Sequence, residues 1–166
     1  TRTRLSFESA MLRLGGGVIS AADMSVSSAS KGESLADTVR VVSGGYADLI
    51  VLRHSSEGAA ALAAQTSSVP VINAGDGTHE HPTQALLDAY TMEERIGDLE
   101  GKRVAIVGDL THSRVFRSNA ITLRTLGAHV TLVAPPTLMP SGIAEWATTD
   151  GLELTDDLDA VLASGP

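Results

Sequence analysis

The stretch of the sequence best equipped for chemistry is 73–84, which reads NAGDGTHEHPTQ and follows the apolar run 69–72. His81 and Gln84 lie three residues apart, so they share one side of any helix that begins here. Pro82 suits the first position of that helix because its missing N–H would have no intrahelical partner. The pattern predicts a loop at a sheet edge that presents an imidazole and a carboxamide to the carbonyl oxygen of a ligand.

A second set of candidate residues is cationic or carries hydroxyl groups. Thr1, Arg2 and Thr3 precede a predicted helix, where free N–H groups and the positive end of the helix dipole favour an anion such as phosphate. Arg53 follows an apolar run, and Arg114 begins another predicted helix, where its guanidinium could bind a carboxylate through two hydrogen bonds. A capping threonine with solvated arginines is an equal alternative at the first site, and ordinary surface arginines are the alternatives at the other two.

The elements that must position these residues alternate between strands and helices. The apolar runs 49–52, 69–72, 104–107 and 130–133 predict buried parallel strands, and stripes at helical spacing cover 7–14, 35–42, 57–66, 82–97, 116–123 and 143–147. A short strand is also predicted at Val18 and Ile19, and a long loop at 21–34. The pattern predicts an α/β fold of two consecutive parallel-sheet domains, 1–97 and 98–166, with the helix 82–97 as the link.

Composition and charge argue against several classes of protein. A net charge of −8 argues against a nucleic-acid binder, which needs a basic face. No run of about 18 apolar residues and no signal peptide is visible, which argues against a membrane role. The absence of cysteine excludes thiol chemistry and fits a reducing, cytoplasmic location. Gly108-Asp109-Leu110 lacks the later glycines of a dinucleotide fingerprint, which argues against NAD.

The candidate residues share a location, because all of them are predicted at strand ends or helix starts. Ligands of open α/β sheets bind at that rim. The set offers cations, hydroxyls and neutral donors, without a cysteine, a Ser-His-Asp order or an obvious carboxylate pair. It favours transfer from an acyl phosphate by positioning and polarisation. Alignment of two reactants can supply about 7–11 kcal/mol of a barrier, and one donor to a developing oxyanion roughly 3–4 kcal/mol.

Six motifs resemble, in order and spacing, those of the catalytic chain of aspartate carbamoyltransferase. They are 1–8 (TRTRLSFE), 31–33 (KGE), 53–54 (RH), 73–77 (NAGDG), 81–84 (HPTQ) and 107–109 (VGD). The resemblance covers nearly the whole sequence, and six motifs in order are highly specific. It implies a carbamoyltransferase-like fold of two α/β domains and a homotrimer whose active sites are shared between subunits.

The resemblance also implies a reaction. Carbamoyl phosphate would donate its carbamoyl group to the amine of L-aspartate, a step of de novo pyrimidine biosynthesis, with no metal or organic cofactor. The first domain would bind carbamoyl phosphate and the second would hold most of the aspartate. The residues implied to bind carbamoyl phosphate and act in catalysis are Arg2, Thr3, Arg53, His81 and Gln84.

Further implied roles concern aspartate and the neighbouring subunit. Arg114 would pair with a carboxylate of aspartate. Lys31 would also bind aspartate and, together with Ser27, would reach into the neighbouring subunit's site. The family pattern has a serine before Thr1, a preceding segment of the first domain, and aspartate-binding residues that would lie beyond Pro166. We therefore expect a chain that is incomplete at both ends and inactive alone. A regulatory chain or a dihydroorotase-like chain stays open as an additional partner.

Three alternatives stay open. The ornithine-specific relative shares the phosphate motif and a His-Pro-x-Gln element, but it normally differs at 73–77 and in the KGE loop. A non-catalytic homologue could keep the oligomer as a scaffold, although every motif residue present is intact. A metal hydrolase could use His79 and His81 with His54 or Asp76, although zinc sites need three or four converging ligands.

Overall fold

The computed structural model describes residues 2–21 and 32–164. The chain divides into two compact units, Thr1–Asp76 and Gly77–Pro166. Each unit contains a parallel sheet with helices in the connections between its strands. The prediction of an α/β fold with parallel sheets is confirmed.

The first unit is built around a pair of parallel strands. In chain order its elements are α1 (Arg2–Arg13), α2 (Leu35–Gly45), β1 (Ile50–His54), α3 (Ala59–Thr66) and β2 (Val71–Asp76). Ile50 lies opposite Val71 in the register of the two strands. α3, which connects the two strands, packs closely on them because its buried side chains are small. These buried residues are Ala59, Ala60 and Ala63. This β–α–β arrangement brings the carboxyl ends of β1 and β2 to the same edge.

The second unit has a sheet of order β3-β4-β5 with all strands parallel. In chain order its elements are α4 (Pro82–Ile96), β3 (Arg103–Val107), α5 (Val115–Thr125), β4 (His129–Val133), a short 3-10 helix (Pro136–Leu138), α6 (Ile143–Asp150), β5 (Glu153–Thr155) and α7 (Leu158–Ala163). Its core is mostly aliphatic, as the composition indicates, with Phe116 as its buried aromatic residue. The largest fully buried side chains are Leu99, Leu110, Leu123, Val130 and Leu132.

Two predictions for the first fifty residues were wrong. Val18 and Ile19 form no strand, and the Ile19 side chain is 80% exposed, because no described strand pairs with this segment. α1 forms with Phe7 and Met11 half-buried, but it begins at Arg2, within the segment predicted to precede it, and it ends at Arg13, so that Leu14 beyond it is 84% exposed. Most of the loop predicted at 21–34 lies outside the described residues.

α4 is the longest described helix, and it begins and ends where the sequence predicts. It runs for 15 residues and ends at the capping residue Gly97. It packs against α5 within the second unit, so the units divide at Asp76/Gly77. The domain boundary predicted after Gly97 stays a prediction. Among residues 2–21 and 32–164, no helix has the length and apolar character to cross a bilayer.

Candidate active site

Arg53 and Thr3 meet at the end of β1 in the first unit. The Nη1 of Arg53 donates a hydrogen bond of 2.7 Å to the Oγ1 of Thr3, although the residues are 50 positions apart. Arg53 is the second-last residue of β1, and Thr3 belongs to the first turn of α1. The strand end and the helix start therefore come together as the sequence predicts, while the roles of the two side chains stay predictions.

The first turn of α1 is a positive environment. It contains Arg2 and Thr3 but no acidic residue, and its first N–H groups have no intrahelical acceptor. Arg4 pairs with Glu8 at 3.3 Å, whereas no carboxylate of the described residues forms an ion pair with Arg2 or Arg53. Two guanidinium groups are thus available here in a chain whose net charge is −8. Together with the helix N-terminus they can hold a phosphate.

Asp76 anchors the loop at the end of β2. Its carboxylate accepts hydrogen bonds from the Gly58 N–H at 3.0 Å and from the Asn73 Nδ2 at 3.3 Å, and the residue is 3% exposed. The Asn73 Oδ1 accepts from the Gly75 N–H at 2.8 Å. Gly75 has a φ of 119°, which a residue with a Cβ would rarely adopt. These contacts tie the start of α3 to the end of β2, a role that sequence reasoning missed.

The metal alternative receives no support from these side chains. The Nδ1 of His54 accepts a hydrogen bond from the Ser56 N–H at 2.9 Å and so belongs to the turn after β1. The Asp76 carboxylate is engaged by Gly58 and Asn73. Among residues 2–21 and 32–164, no group of three or more histidine, aspartate or glutamate side chains is arranged to hold a metal ion.

His81 and Pro82 begin α4 in the second unit as predicted, with His81 at the N-cap and Pro82 in the first turn. The backbone N–H of His81 donates a 2.9 Å hydrogen bond to the Oγ of Ser118 on α5. Ser118 is 4% exposed, and its hydroxyl donates a short hydrogen bond to the Glu80 carboxylate. The start of α4, and with it His81, is therefore held by a buried hydroxyl of the neighbouring helix.

Gln84 lies in the first turn of α4 and is held by Asp88 one turn later. The Gln84 Nε2 donates to the Asp88 Oδ1 at 2.8 Å. The other carboxylate oxygen, Oδ2, accepts from the Nδ2 of Asn119 on α5 at 3.0 Å. The spacing of four between Gln84 and Asp88 could have indicated the first contact. The contact with Asn119 depends on how α4 and α5 pack, and no sequence pattern pointed to it.

Arg114 occupies the residue before α5, which confirms its predicted place at a helix start. The loop that leads to it from β3 is organised by Asp109. The Asp109 carboxylate accepts from the His112 backbone N–H at 3.0 Å and contacts the His112 Nδ1 at 2.8 Å. These hydrogen bonds from His112, the side chain first, lower the pKa of Asp109 below its ordinary value.

The structure thus brings Thr3 to Arg53 in the first unit, and it places His81, Gln84 and Arg114 at the starts of α4 and α5 in the second. Thr1, Ser27 and Lys31 lie outside the described residues, so their predicted roles stay predictions. Residues 1–94 match the family described as aspartate/ornithine carbamoyltransferase, carbamoyl-P binding domain. The chain belongs to the aspartate/ornithine carbamoyltransferase family.

Relatives within this family carry a more specific name. The chain is 57% identical over 162 residues to the aspartate carbamoyltransferase catalytic subunit of Thermobifida fusca, covering 98% of this chain and 50% of that protein. It is 52% identical over 166 residues to the catalytic subunit of Desulfitobacterium hafniense, with 98% and 53% covered. The chain therefore spans about half the length of the relatives it matches. The predicted resemblance is confirmed.

Solved structures that are similar to this chain belong to the same family. The catalytic subunit of M. jannaschii aspartate transcarbamoylase superposes with a TM-score of 0.81 at 50% identity, covering 96% of this chain and 53% of that one. The Trypanosoma cruzi aspartate transcarbamoylase in complex with carbamoyl phosphate and aspartate superposes with a TM-score of 0.80 at 37% identity, with 95% and 55% covered. These likenesses confirm the carbamoyltransferase-like fold.

Proposed function

We propose that this chain supplies the carbamoyl-phosphate-binding domain and part of the aspartate-binding domain of an aspartate carbamoyltransferase. The observation that carries the proposal is the 2.7 Å hydrogen bond from Arg53 to Thr3 beside the N-terminus of α1. It lies in the segment that matches a carbamoyl-phosphate-binding domain. The names of the relatives support aspartate as the acceptor, and the T. cruzi protein was solved with both substrates.

The proposed domains are 1–97 for carbamoyl phosphate and 98–166 for aspartate, with α4 as the linking helix. The family match supports this division because it ends at residue 94, near the last turn of α4. Gly97 then ends the helix as its capping residue. In this proposal α4 belongs functionally to the first domain.

Five residues are proposed to act on carbamoyl phosphate. Arg2 and Thr3 bind the phosphate and the carbonyl group. Arg53 and His81 direct donors to the same carbonyl oxygen, and Gln84 binds the carbamoyl amine. The positive first turn of α1 supports the phosphate roles, and the anchored start of α4 supports those of His81 and Gln84.

The remaining site residues are proposed to act on aspartate. Arg114 pairs with one of its carboxylates, which suits a guanidinium because that group matches a carboxylate with two parallel hydrogen bonds. Lys31 binds aspartate in the site of a neighbouring subunit of a homotrimer, and Ser27 lies on the same loop that reaches into that site. The proposed setting is the cytoplasm, in the synthesis of pyrimidines, and a regulatory or dihydroorotase-like partner chain is left to experiment.

The proposed reaction begins when the neutral amine of L-aspartate attacks the carbamoyl carbon. A C–N bond forms while the bond from that carbon to the bridging phosphate oxygen breaks, and the proton lost by the amine passes to the departing phosphate. The phosphate leaves with the electron pair, so the products are N-carbamoyl-L-aspartate and inorganic phosphate. Arg53 and His81 polarise the carbonyl, where one preorganised donor lowers a barrier by roughly 3–4 kcal/mol.

Turnover in a chimera tests this proposal. The 166-residue chain replaces the matching half of the T. fusca catalytic subunit, to which it is 57% identical. We expect the chimera to form N-carbamoyl-L-aspartate from L-aspartate and carbamoyl phosphate, and Arg53→Ala in the chimera to abolish that activity while the assembly stays folded.

The chimera also separates the alternatives. Carbamoylation of L-ornithine in place of L-aspartate would overturn the proposed acceptor. A folded, trimeric chimera that carbamoylates neither amine, beside an active parent subunit, would favour the scaffold. Equal activity of the chimera and its Arg53→Ala variant would show that Arg53 has no catalytic role.

A further inference from the structure

The Asp88 carboxylate lies between two carboxamides in the second unit. Its Oδ1 accepts from the Gln84 Nε2 at 2.8 Å, and its Oδ2 accepts from the Asn119 Nδ2 at 3.0 Å. All three side chains are partly buried. Gln84 and Asp88 lie one turn apart on α4, while Asn119 lies on α5, so the second contact comes from a different helix.

The chemistry of these groups determines how each amide is oriented. An ionised carboxylate only accepts hydrogen bonds, whereas a carboxamide has a donating NH2 at one end and an accepting oxygen at the other. Each amide must therefore turn its NH2 toward Asp88. The Gln84 Oε1 is then the end of the amide that Asp88 does not engage, and it can accept a hydrogen bond from a ligand.

Asn119 strengthens this assignment. Its Oδ1 is buried and has no hydrogen-bond partner among the described residues. A buried acceptor without a partner is unfavourable, yet reversing the amide would place that oxygen against the Asp88 carboxylate. Asn119 is thus held in an orientation that serves Asp88. A Gln–Asp pair that only stabilised α4 would not need this second contact from α5.

We propose that Asp88, braced by Asn119, is a positioning residue that fixes the Gln84 carboxamide with Oε1 as the acceptor for a ligand NH2 group. The inference rests on the proposed function, in which Gln84 binds the carbamoyl amine. The inference adds a basis for specificity. The Gln84 Oε1 can accept a hydrogen bond from the NH2 of a carbamoyl group, whereas the methyl of an acetyl group has no hydrogen bond to donate. Asp88 selects the carbamoyl donor without touching it.

Nuclear magnetic resonance tests the positioning without any ligand. The chain has only four carboxamide side chains, Gln65, Asn73, Gln84 and Asn119, so their NH2 signals are few and assignable by substitution. In the wild-type chain, 15N relaxation should show the Gln84 NH2 as restrained and that of the exposed Gln65 as mobile. Asp88→Ala should make the Gln84 group as mobile as Gln65. A Gln84 amide that is mobile in the wild type, or restrained in Asp88→Ala, overturns the proposal.

Glu94→Ala is the matched control. Glu94 is also on α4 and also accepts a hydrogen bond from the residue four positions earlier, the Tyr90 hydroxyl at 2.8 Å. It makes no contact with Gln84 among the described side chains, so this variant should leave the Gln84 signals unchanged. Alanine has the highest helix propensity, so neither substitution should break α4. Asn119→Ala removes only the hydrogen bond from Asn119 to Asp88, so it should give the Gln84 NH2 group intermediate mobility.

Ligand selectivity tests the consequence. Phosphonoacetamide and phosphonoacetone differ only by NH2 against CH3, and both resist hydrolysis. By titration calorimetry the wild-type chain should prefer the amide about tenfold, as one hydrogen bond allows. Asp88→Ala should abolish the preference but retain the affinity for inorganic phosphate, whereas a general loss of structure would weaken all three ligands. Glu94→Ala should keep the preference.

The outcomes separate this inference from the proposed function. A wild-type chain that binds all three probes but does not distinguish the amide from the ketone overturns the inference alone. The same holds if Asp88→Ala keeps the wild-type preference. If neither the wild-type chain nor the T. fusca chimera that contains it binds any of the probes, the proposed function is overturned, and with it the inference that rests on it.

Discussion

The Arg53 guanidinium donates a 2.7 Å hydrogen bond to the Thr3 hydroxyl and thereby joins the end of β1 to the first turn of α1. The contact uses one of the five N–H donors of the guanidinium and leaves the hydroxyl proton of Thr3 free to donate elsewhere. Donors from two distant parts of the chain thus gather beside a helix N-terminus. That is the arrangement a phosphate requires.

Arg53→Ala should weaken binding of inorganic phosphate to the chain by roughly ten- to a hundredfold. A hydrogen bond to a charged group contributes about 1.5–3 kcal/mol, which corresponds to that factor. Arg40→Ala is the control, because Arg40 is an exposed arginine of the same unit that pairs with Asp37 at 2.8 Å. Titration calorimetry measures both. If the two variants lose equal affinity for phosphate, the loss follows from the change in net charge, and Arg53 does not contact the bound phosphate.

Asp76→Asn should accelerate hydrogen exchange of the Gly58 amide. The buried carboxylate accepts the Gly58 N–H at 3.0 Å, and the neutral amide is a weaker acceptor. Loss of a charge-assisted bond of about 1.5–3 kcal/mol predicts roughly ten- to hundredfold faster exchange. Exchange followed by nuclear magnetic resonance gives the rate, with the exposed Asp48→Asn as the control. Unchanged Gly58 protection would show that Asp76 does not hold this connection.

Phe116→Ala should destabilise the second unit by about 3–5 kcal/mol, the usual cost of removing a buried aromatic ring. Phe116 is 3% exposed, and its ring meets that of Trp146 edge to face with centroids 6.0 Å apart. Trp146 is the only tryptophan, so its fluorescence during urea unfolding reports this environment. Leu162→Ala, at a side chain that is 62% exposed, should change the free energy of unfolding by less than about 0.5 kcal/mol. Equal unfolding midpoints would contradict the packing described.

The Asp109 carboxyl should titrate below its ordinary pKa, and His112→Ala should raise that pKa part of the way back. The contact with the His112 ring disappears in the variant, but the backbone N–H still donates. Because the folded-state pKa is lowered, the contact stabilises the fold above the ordinary pKa and ceases to do so as the pH falls through the lowered value. Carbon-13 shifts of the carboxyl measure the titration. His129→Ala, at an exposed histidine of the same unit, should leave the pKa of Asp109 unchanged. If both variants shift this pKa equally, the contact with His112 is not what lowers it.

Local chemistry made several elements predictable. Pro82 and the apolar stripe that follows it predicted α4, which begins at that residue. The apolar run at 104–107 predicted β3, but the predicted burial was wrong, because the side chains of this strand alternate between exposed and half-buried. The strand at Val18 and Ile19 was predicted from two β-branched residues and did not form. A strand needs a hydrogen-bonded neighbour, and two apolar residues in sequence cannot supply one.

The amino-acid sequence determines the family, the alternation of helices and strands, and the positions of Arg53, His81, Gln84 and Arg114 at element ends. These properties depend on residues near one another in the chain, so they can be recognised from spacing. Only the tertiary structure decides that Arg53 meets Thr3 across 50 positions, or that Asn119 braces Asp88 across 31. Such contacts arise from how helices and strands pack, and that packing depends on many weak interactions between distant residues.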